Sequence, residues 1–204
     1  MPARPLSASA ERLVETAQAV LAEAGIDGLS LRAVARRAGV SHGAPLRHFD
    51  SFSALRSEVA GRGFRALEEA IDKAAAQVPG ASSPFRRLEA AARAYVAQAV
   101  AHPGLFSLMF RQELLDTGSP AYTRSAGAAF DQLVRHVRAA QEAGFAPGRE
   151  PRALAASLWA LVHGIATLWS QGALGAASGA SLDSILEAAL ATWVPRDALE
   201  GDDR

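Results

Sequence analysis

Cysteine is missing from all 204 residues. That excludes disulfides, thiolate metal sites and a thiol nucleophile. It suits a reducing cytosol, so a cytoplasmic protein is expected. Lysine is almost missing too: Lys73 is the only one among 21 basic residues, a skew that genomic base composition explains more simply than function. There is no excess of charge, since 21 acids balance those bases. Zero net charge argues against a uniformly basic nucleic-acid coat but allows a local basic face. Runs rich in Val, Ile, Thr and Tyr are lacking, so no strand is predicted. Residues 1–13 have no apolar signal-peptide core. The longest apolar run, 153–169, contains His163 and Gly164. It is short for a membrane span and predicts a buried helix. Catalytic signatures are absent as well: no P-loop, dinucleotide glycine fingerprint, His-Glu-x-x-His, Gly-x-Ser-x-Gly or paired Glu-x-x-His. The five histidines are not spaced as a metal site, and His102, His136 and His163 would converge only by folding. An enzyme is not expected, nor a catalytic residue, metal or cofactor.

Half of the residues are apolar, mostly Ala and Leu, which suits closely packed helices. The organising stretch is Ser30 to Phe49, SLRAVARRAGVSHGAPLRHF. Ser30 can cap a helix in which Leu31, Val34, Ala35 and Ala38 share one face. Gly39 stops it, because glycine takes the left-handed backbone cheaply. Val40 can plug the joint, Ser41 can cap a second helix over 42–48, and Phe49 anchors it. Helix, glycine turn and helix make the helix-turn-helix plan, whose second helix enters the DNA major groove. The plain alternative is an αα-hairpin in a helical protein.

The rest of the chain predicts an all-α fold of about nine helices. Residues 1–8 read as a loose arm, with Arg4 able to touch DNA. The first helix covers about 10–24, ended by Gly25; the second is 31–38 and the third 42–48. Their small core, around Leu21, Leu31, Val34, Val40 and Phe49, needs the fourth helix, about 51–77, packed against it. Beyond a loop at 78–84, four helices each start at a proline, the residue whose missing N–H costs nothing in a first turn. These cover about 83–102, 102–115, 119–143 and 150–174. A small-residue loop at 175–179 precedes the last helix, 182–194. We expect a DNA-binding domain over 1–50, a connecting helix over 51–78 and an effector-binding and dimerisation domain over 79–204.

From Arg12 to Val59 the chain resembles the TetR/AcrR family of transcriptional regulators. The matching pieces are Ala17 with Ala24-Gly25, Leu29-Ser30-Leu31, Val34-Ala35, Ala38-Gly39-Val40-Ser41 and His48-Phe49. The resemblance implies a homodimeric, effector-responsive repressor on a palindromic operator of double-stranded DNA. Ser41, His42, Gly43 and Ala44 would then lie where base edges are read. His42 could donate to a guanine acceptor and Ala44 could meet a thymine methyl. Arg32, Arg47 and His48 would add phosphate contacts; solvated side chains are the alternative. Two positions depart from the family. It usually carries Tyr at 46 and Lys at 52, both on phosphates, and here stand Leu46 and Phe52. Unless Arg47, His48 or Arg56 compensates, up to four phosphate contacts per dimer are lost and affinity should depend less on salt. Leu46 and Phe52 would alternatively pack on each other or on deoxyribose.

In the second half, Tyr95, Phe106, Met109, Phe110, Phe130, Trp159 and His163 stand in an Ala-rich background. That pattern suits a cavity for a small apolar or aromatic effector; the alternative is that these residues simply fill the core. His163 reads better as a hydrogen-bonded core histidine than as a ligand contact. Residues 102–110 and Trp159 to Gly164 resemble a TetR subgroup with a Trp-His-Gly motif, whose later helices hold pocket and dimer surface. The eighth helix is apolar all round and must be covered on more than one face. Leu158, Leu161, Ile165 and Leu168, with Ile185, Leu186, Ala189 and Trp193 of the last helix, are the expected two-fold interface. In the alternative the last helix covers the eighth within one protomer. A second functional reading is a dimeric small-molecule-binding protein whose DNA head has weakened.

Overall fold

A computed structural model describes residues 6–79 and 84–192. Among the described residues there are nine α-helices, two short 3₁₀ turns and no strand. The α-helices are α1 (Ala8–Gly28), α2 (Leu31–Ala38), α3 (Phe52–Ala76), α4 (Pro84–Ala101), α5 (Pro103–Phe110), α6 (Pro120–Glu142), α7 (Pro151–Ser170), α8 (Ala173–Ser178) and α9 (Leu182–Ala191). The proline starts hold: α4, α5, α6 and α7 each open on their proline. The Glu150 carboxylate caps α7 by accepting from the Ala153 N–H at 2.6 Å.

Besides the helix expected over 102–115, which ends at Phe110 with only a 3₁₀ turn at Gln112–Leu114 beyond it, three boundaries differ from the sequence reading. The expected third helix over 42–48 is not α-helical. Residues 42–44 form turns and only Pro45–Arg47 winds, as a 3₁₀ turn. Pro45 explains this: without an N–H and with its ring against the preceding turn, it must begin a helical register, not continue one. Ser41 therefore caps nothing with its side chain; its carbonyl accepts from the Ala44 N–H at 2.9 Å. The second difference is in the apolar run. Gly172, at φ 75°, ends the helix that was expected to reach 174, and α8 follows separately. Third, helical turns resume after Gly25, whose φ of 66° kinks α1, so that α1 extends to Gly28.

Packing divides the chain into two compact units, 1–66 with 102–128 and 67–101 with 129–204. In the first unit, α1, α2 and α5 pack around Leu13, Val14, Leu21, Val34 and Leu108, all buried. Gly104 explains how closely α5 approaches α1: a Cβ there would stand 2.7 Å from the Leu21 carbonyl oxygen. The first part of α3 is tied to the 111–128 segment. Ser57, fully buried, accepts from the Asp116 N–H at 2.8 Å and donates to its carbonyl at 3.1 Å. Arg65 donates to the Ser125 hydroxyl at 3.2 Å. In the second unit, the buried Gln132 amide of α6 donates to the Glu68 carbonyl at 3.0 Å and the Asp72 carboxylate at 2.7 Å. α3 and α6 are thus cross-braced by polar clips inside each unit.

Candidate functional site

The reader segment is built from α2 outward. Ser30 caps α2 through its hydroxyl, 3.2 Å from the Ala33 N–H. At the other end Gly39 adopts φ 69°, ψ 31°. The Val40 N–H reaches the Ala35 carbonyl and the Gly39 N–H the Arg36 carbonyl, at 3.0 and 3.2 Å. Those two bonds are the Schellman closure that a left-handed glycine permits. Arg12 of α1 adds a cation at the negative end of α2, donating to the Ala38 carbonyl at 2.7 Å; such placement is favourable. Val40 does not plug the joint, because it is 39% exposed. Pro45 and Phe49 are the buried anchors instead.

Between Leu29 and Ser57 stand five arginines and one acid, Asp50. Here is the local basic face that zero net charge concealed. Among the described residues only Arg37 is answered by an acid, the Glu23 carboxylate. Among the described residues, the side chains of Arg32, His42, Arg47 and His48 are exposed with no hydrogen-bond or ion-pair partner. Ser41 and Gly43 are exposed beside them and Ala44 is half-buried. Leu46 is 48% exposed. Phe52 carries the Arg56 guanidinium 4.0 Å above its ring. That i, i+4 pair was legible in the sequence; its stacking was not.

The seven expected pocket residues fall into two clusters. Phe106, Met109 and Phe110 belong to the first unit and fill it. Phe110 packs edge-on to Phe106 and Phe64, with centroids 5.0 and 5.4 Å apart. Met109 lies over Gly63, where a Cβ would come within 2.6 Å of its sulfur. Tyr95, Phe130, Trp159 and His163 come together in the second unit. The Trp159 indole N–H donates to the Tyr95 oxygen at 3.0 Å. Tyr95 Oη lies 2.9 Å from His163 Nδ1. The roles in that bond follow the histidine tautomer: Tyr95 donates where Nδ1 is bare and accepts where Nδ1 carries the proton. Burial pushes the Tyr95 hydroxyl pKa up and the His163 imidazole pKa down, so both groups stay neutral. Phe130 packs edge-on to Trp159 at 6.1 Å, with the Arg152 guanidinium 5.0 Å from its centroid. This unit also holds an open groove of about 480 Å³ that includes none of the expected residues; Ala74, Gln77, Val78, Arg86, Glu89 and Arg93 line it.

Of the expected interface residues, Leu158, Ile165 and Leu186 are buried within the protomer. Leu161, Ile185 and Ala189 are half-buried, and Leu168 is 44% exposed. Trp193 and Arg4 lie outside the described residues. Although α7 is apolar enough to cross a membrane, the protomer buries only 28% of it. Ala153, Ala156, Ser157, Ala160 and Leu168 stay exposed, and a Cβ on Gly164 would meet nothing within 4 Å.

A chain helical throughout its described residues, whose exposed cations gather where α2 closes on Gly39 and a 3₁₀ turn follows, with a second helical unit after it, is a helix-turn-helix transcription regulator by class. Residues 13–59 match the bacterial regulatory proteins of the tetR family, and residues 88–193 the tetracyclin repressor-like C-terminal domain. The chain belongs to the TetR family. A solved protein of unknown function from Rhodococcus sp. RHA1 is 37% identical, with a TM-score of 0.78 over 92% of this chain and 94% of that one. A TetR transcriptional regulator, SCO0520 from Streptomyces coelicolor, is 23% identical, with a TM-score of 0.57 over 91% and 98%. A tetR-family regulatory protein from Rhodococcus RHA1 is 20% identical, with a TM-score of 0.65 over 92% and 97%. The last two share the fold. No curated protein matches the sequence significantly.

Proposed function

We propose that this ligand-responsive regulator is a cytoplasmic, non-enzymatic homodimeric repressor that grips a palindromic operator and releases it when a small apolar effector binds. The supporting observation is the reader segment. Among the described residues the side chains of Arg32, His42, Arg47 and His48 have no partner, and acids are nearly absent from the surrounding sequence. An exposed donor set of that kind is complementary to phosphate and base edges. Residues 1–50 would be the reader, 51–78 the connector and 79–204 the effector and dimer region, with 102–128 packing in the reader's unit. The aromatic surroundings of Tyr95, Phe130, Trp159 and His163 support the effector site. The small apolar face of α7 supports the two-fold interface.

The proposed mechanism is a population shift. An effector that prefers the non-binding state displaces α6, and the clips from Gln132 to Glu68 and Asp72 and from Arg65 to Ser125 carry that displacement to α3. α3 then moves the two readers out of register with major grooves about 34 Å apart. The exposure of Leu46 favours one competing reading, a binding protein with a weakened DNA head. A gel-shift with the DNA upstream of the protein's own gene, titrated with salt, decides between them. A specific shift that weakens in Arg32→Gln supports the repressor. No specific shift at low salt supports the alternative.

A further inference from the structure

Arg56 lies one turn into α3 in surroundings that suit a cation poorly. Side chains on a helix lean towards its N-terminus. Its stack on Phe52, at 4.0 Å, therefore folds the guanidinium back over the first residue of α3. The dipole is positive at that end of a helix and disfavours a cation there. Burial works against the charge as well, drawing the pKa down. Among the described residues the Phe52 ring face is its one compensation, and no acid adds to it. Arg56 Nε is buried without an acceptor, and among the described residues no acceptor meets the other guanidinium N–H groups. Further along the same helix, Arg62 reaches Glu11 at 2.6 Å and Arg65 reaches Glu58 at 3.4 Å. Arg56 alone among these three has no acid. It follows the reader by a few residues, in a stretch whose only acid is Asp50.

We propose that Arg56, held on the ring of Phe52, is a DNA-backbone contact that donates its terminal N–H groups to a phosphate. This rests on the reading of residues 31–49 as a DNA reader. A planar guanidinium can stack by its face while its edge donates a forked pair of bonds to phosphate, which an ammonium cannot do. Phe52 is then a platform, and the cation comes from four residues further on.

The test uses the full-length protein and a duplex that the wild type enriches from a randomised library, with affinity followed across a salt series. Arg56→Gln is expected to weaken binding to selected and scrambled duplexes alike. It should also lower the slope of log K against log salt by about 1 per bound protomer. Arg56→Lys keeps the charge and should restore the slope but not the full affinity. If the Gln variant melts early, Arg56→Leu, which keeps contact with Phe52, carries the same test. An unchanged slope in a folded uncharged variant overturns the phosphate contact while leaving the reader standing. A loss confined to one sequence also overturns it, since that means base reading. If the wild type enriches no duplex, the DNA reading falls, and this contact with it.

Discussion

The reader and the Tyr95 cluster are both rich in hydrogen-bonding groups, yet they use them in opposite ways. On the proposed reader, the side chains of Arg32, His42, Arg47 and His48 stand in solvent with no partner among the described residues. In the cluster, Trp159 donates to Tyr95, and Tyr95 in turn meets His163. An exposed donor set without partners keeps its bonding capacity for something outside the chain, and solvent meanwhile holds the cost of its charges low. A half-buried set cannot wait in that way, because each unmet group there costs roughly 1–3 kcal/mol. Any effector entering the cluster must therefore exchange bonds already made. It would compete chiefly by shape and apolar area, because the Tyr95 bonds to Trp159 and His163 are already made. At the proposed reader, DNA would displace only water.

The hardest blow to this comparison falls beneath the reader, not on it. Leu21 is 1% exposed in the small core shared by α1, α2 and α5. Leu21→Ala should cost roughly 2–5 kcal/mol, since the cavity cannot collapse fully. Chemical denaturation would measure it, and DNA binding should be lost near the lowered melting temperature. If the variant binds as tightly as the wild type while clearly destabilised, the reader's geometry does not depend on that core.

The next test separates the two regions. Tyr95→Phe removes the hydroxyl that serves Trp159 and His163 together, leaving an indole N–H and a ring nitrogen without their partner. It should cost roughly 1–3 kcal/mol of stability. Effector-free DNA affinity is expected to stay unchanged, as measured by anisotropy. A parallel fall in DNA affinity would mean that the cluster shapes the reader even without ligand, and the contrast between the regions would dissolve.

What could be read from the chain itself follows the same division. Local features were legible. The cap at Ser30, the stop at Gly39 and the four proline starts depend on residues a few positions apart, and all appear in the structure. Pro45 was just as visible, yet a seven-residue helix was expected across it. The matched helix-turn-helix pattern outweighed the missing N–H. Contacts between distant segments left no local trace. Tyr95 meets Trp159 and His163 across 64 and 68 residues, and Ser57 meets Asp116 across 59. No periodicity encodes such pairs. The seven aromatic and polar pocket residues thus read as one set, although Phe106, Met109 and Phe110 pack in a different unit from Tyr95 and Trp159. Burial within α7 was equally illegible: an all-apolar helix does not reveal which of its faces is covered by its own chain.

The smallest expected effect is a pH dependence. It tests whether the second unit's histidines are held neutral as the geometry requires. Burial lowers the pKa of His163, and burial lowers that of His136 against the opposing pull of Asp72. An unfolded histidine titrates near 6.5. Each folded pKa lies below that value, so the unfolded chain binds more protons in the interval, and acid favours unfolding. The stabilisation is complete above about pH 6.5 and is lost as pH falls towards the folded values. Melting temperature should therefore decline as pH drops from about 7.5 to about 5.5. A variant carrying both His136→Gln and His163→Gln should show a shallower decline. If Tyr95 donates to Nδ1, protonating His163 also breaks that bond, so in Tyr95→Phe the His163 share of the decline should shrink while the His136 share persists. Equal slopes for wild type and the double variant would mean that neither imidazole is disfavoured as a cation. The satisfied character assigned to the cluster would then rest on distance alone.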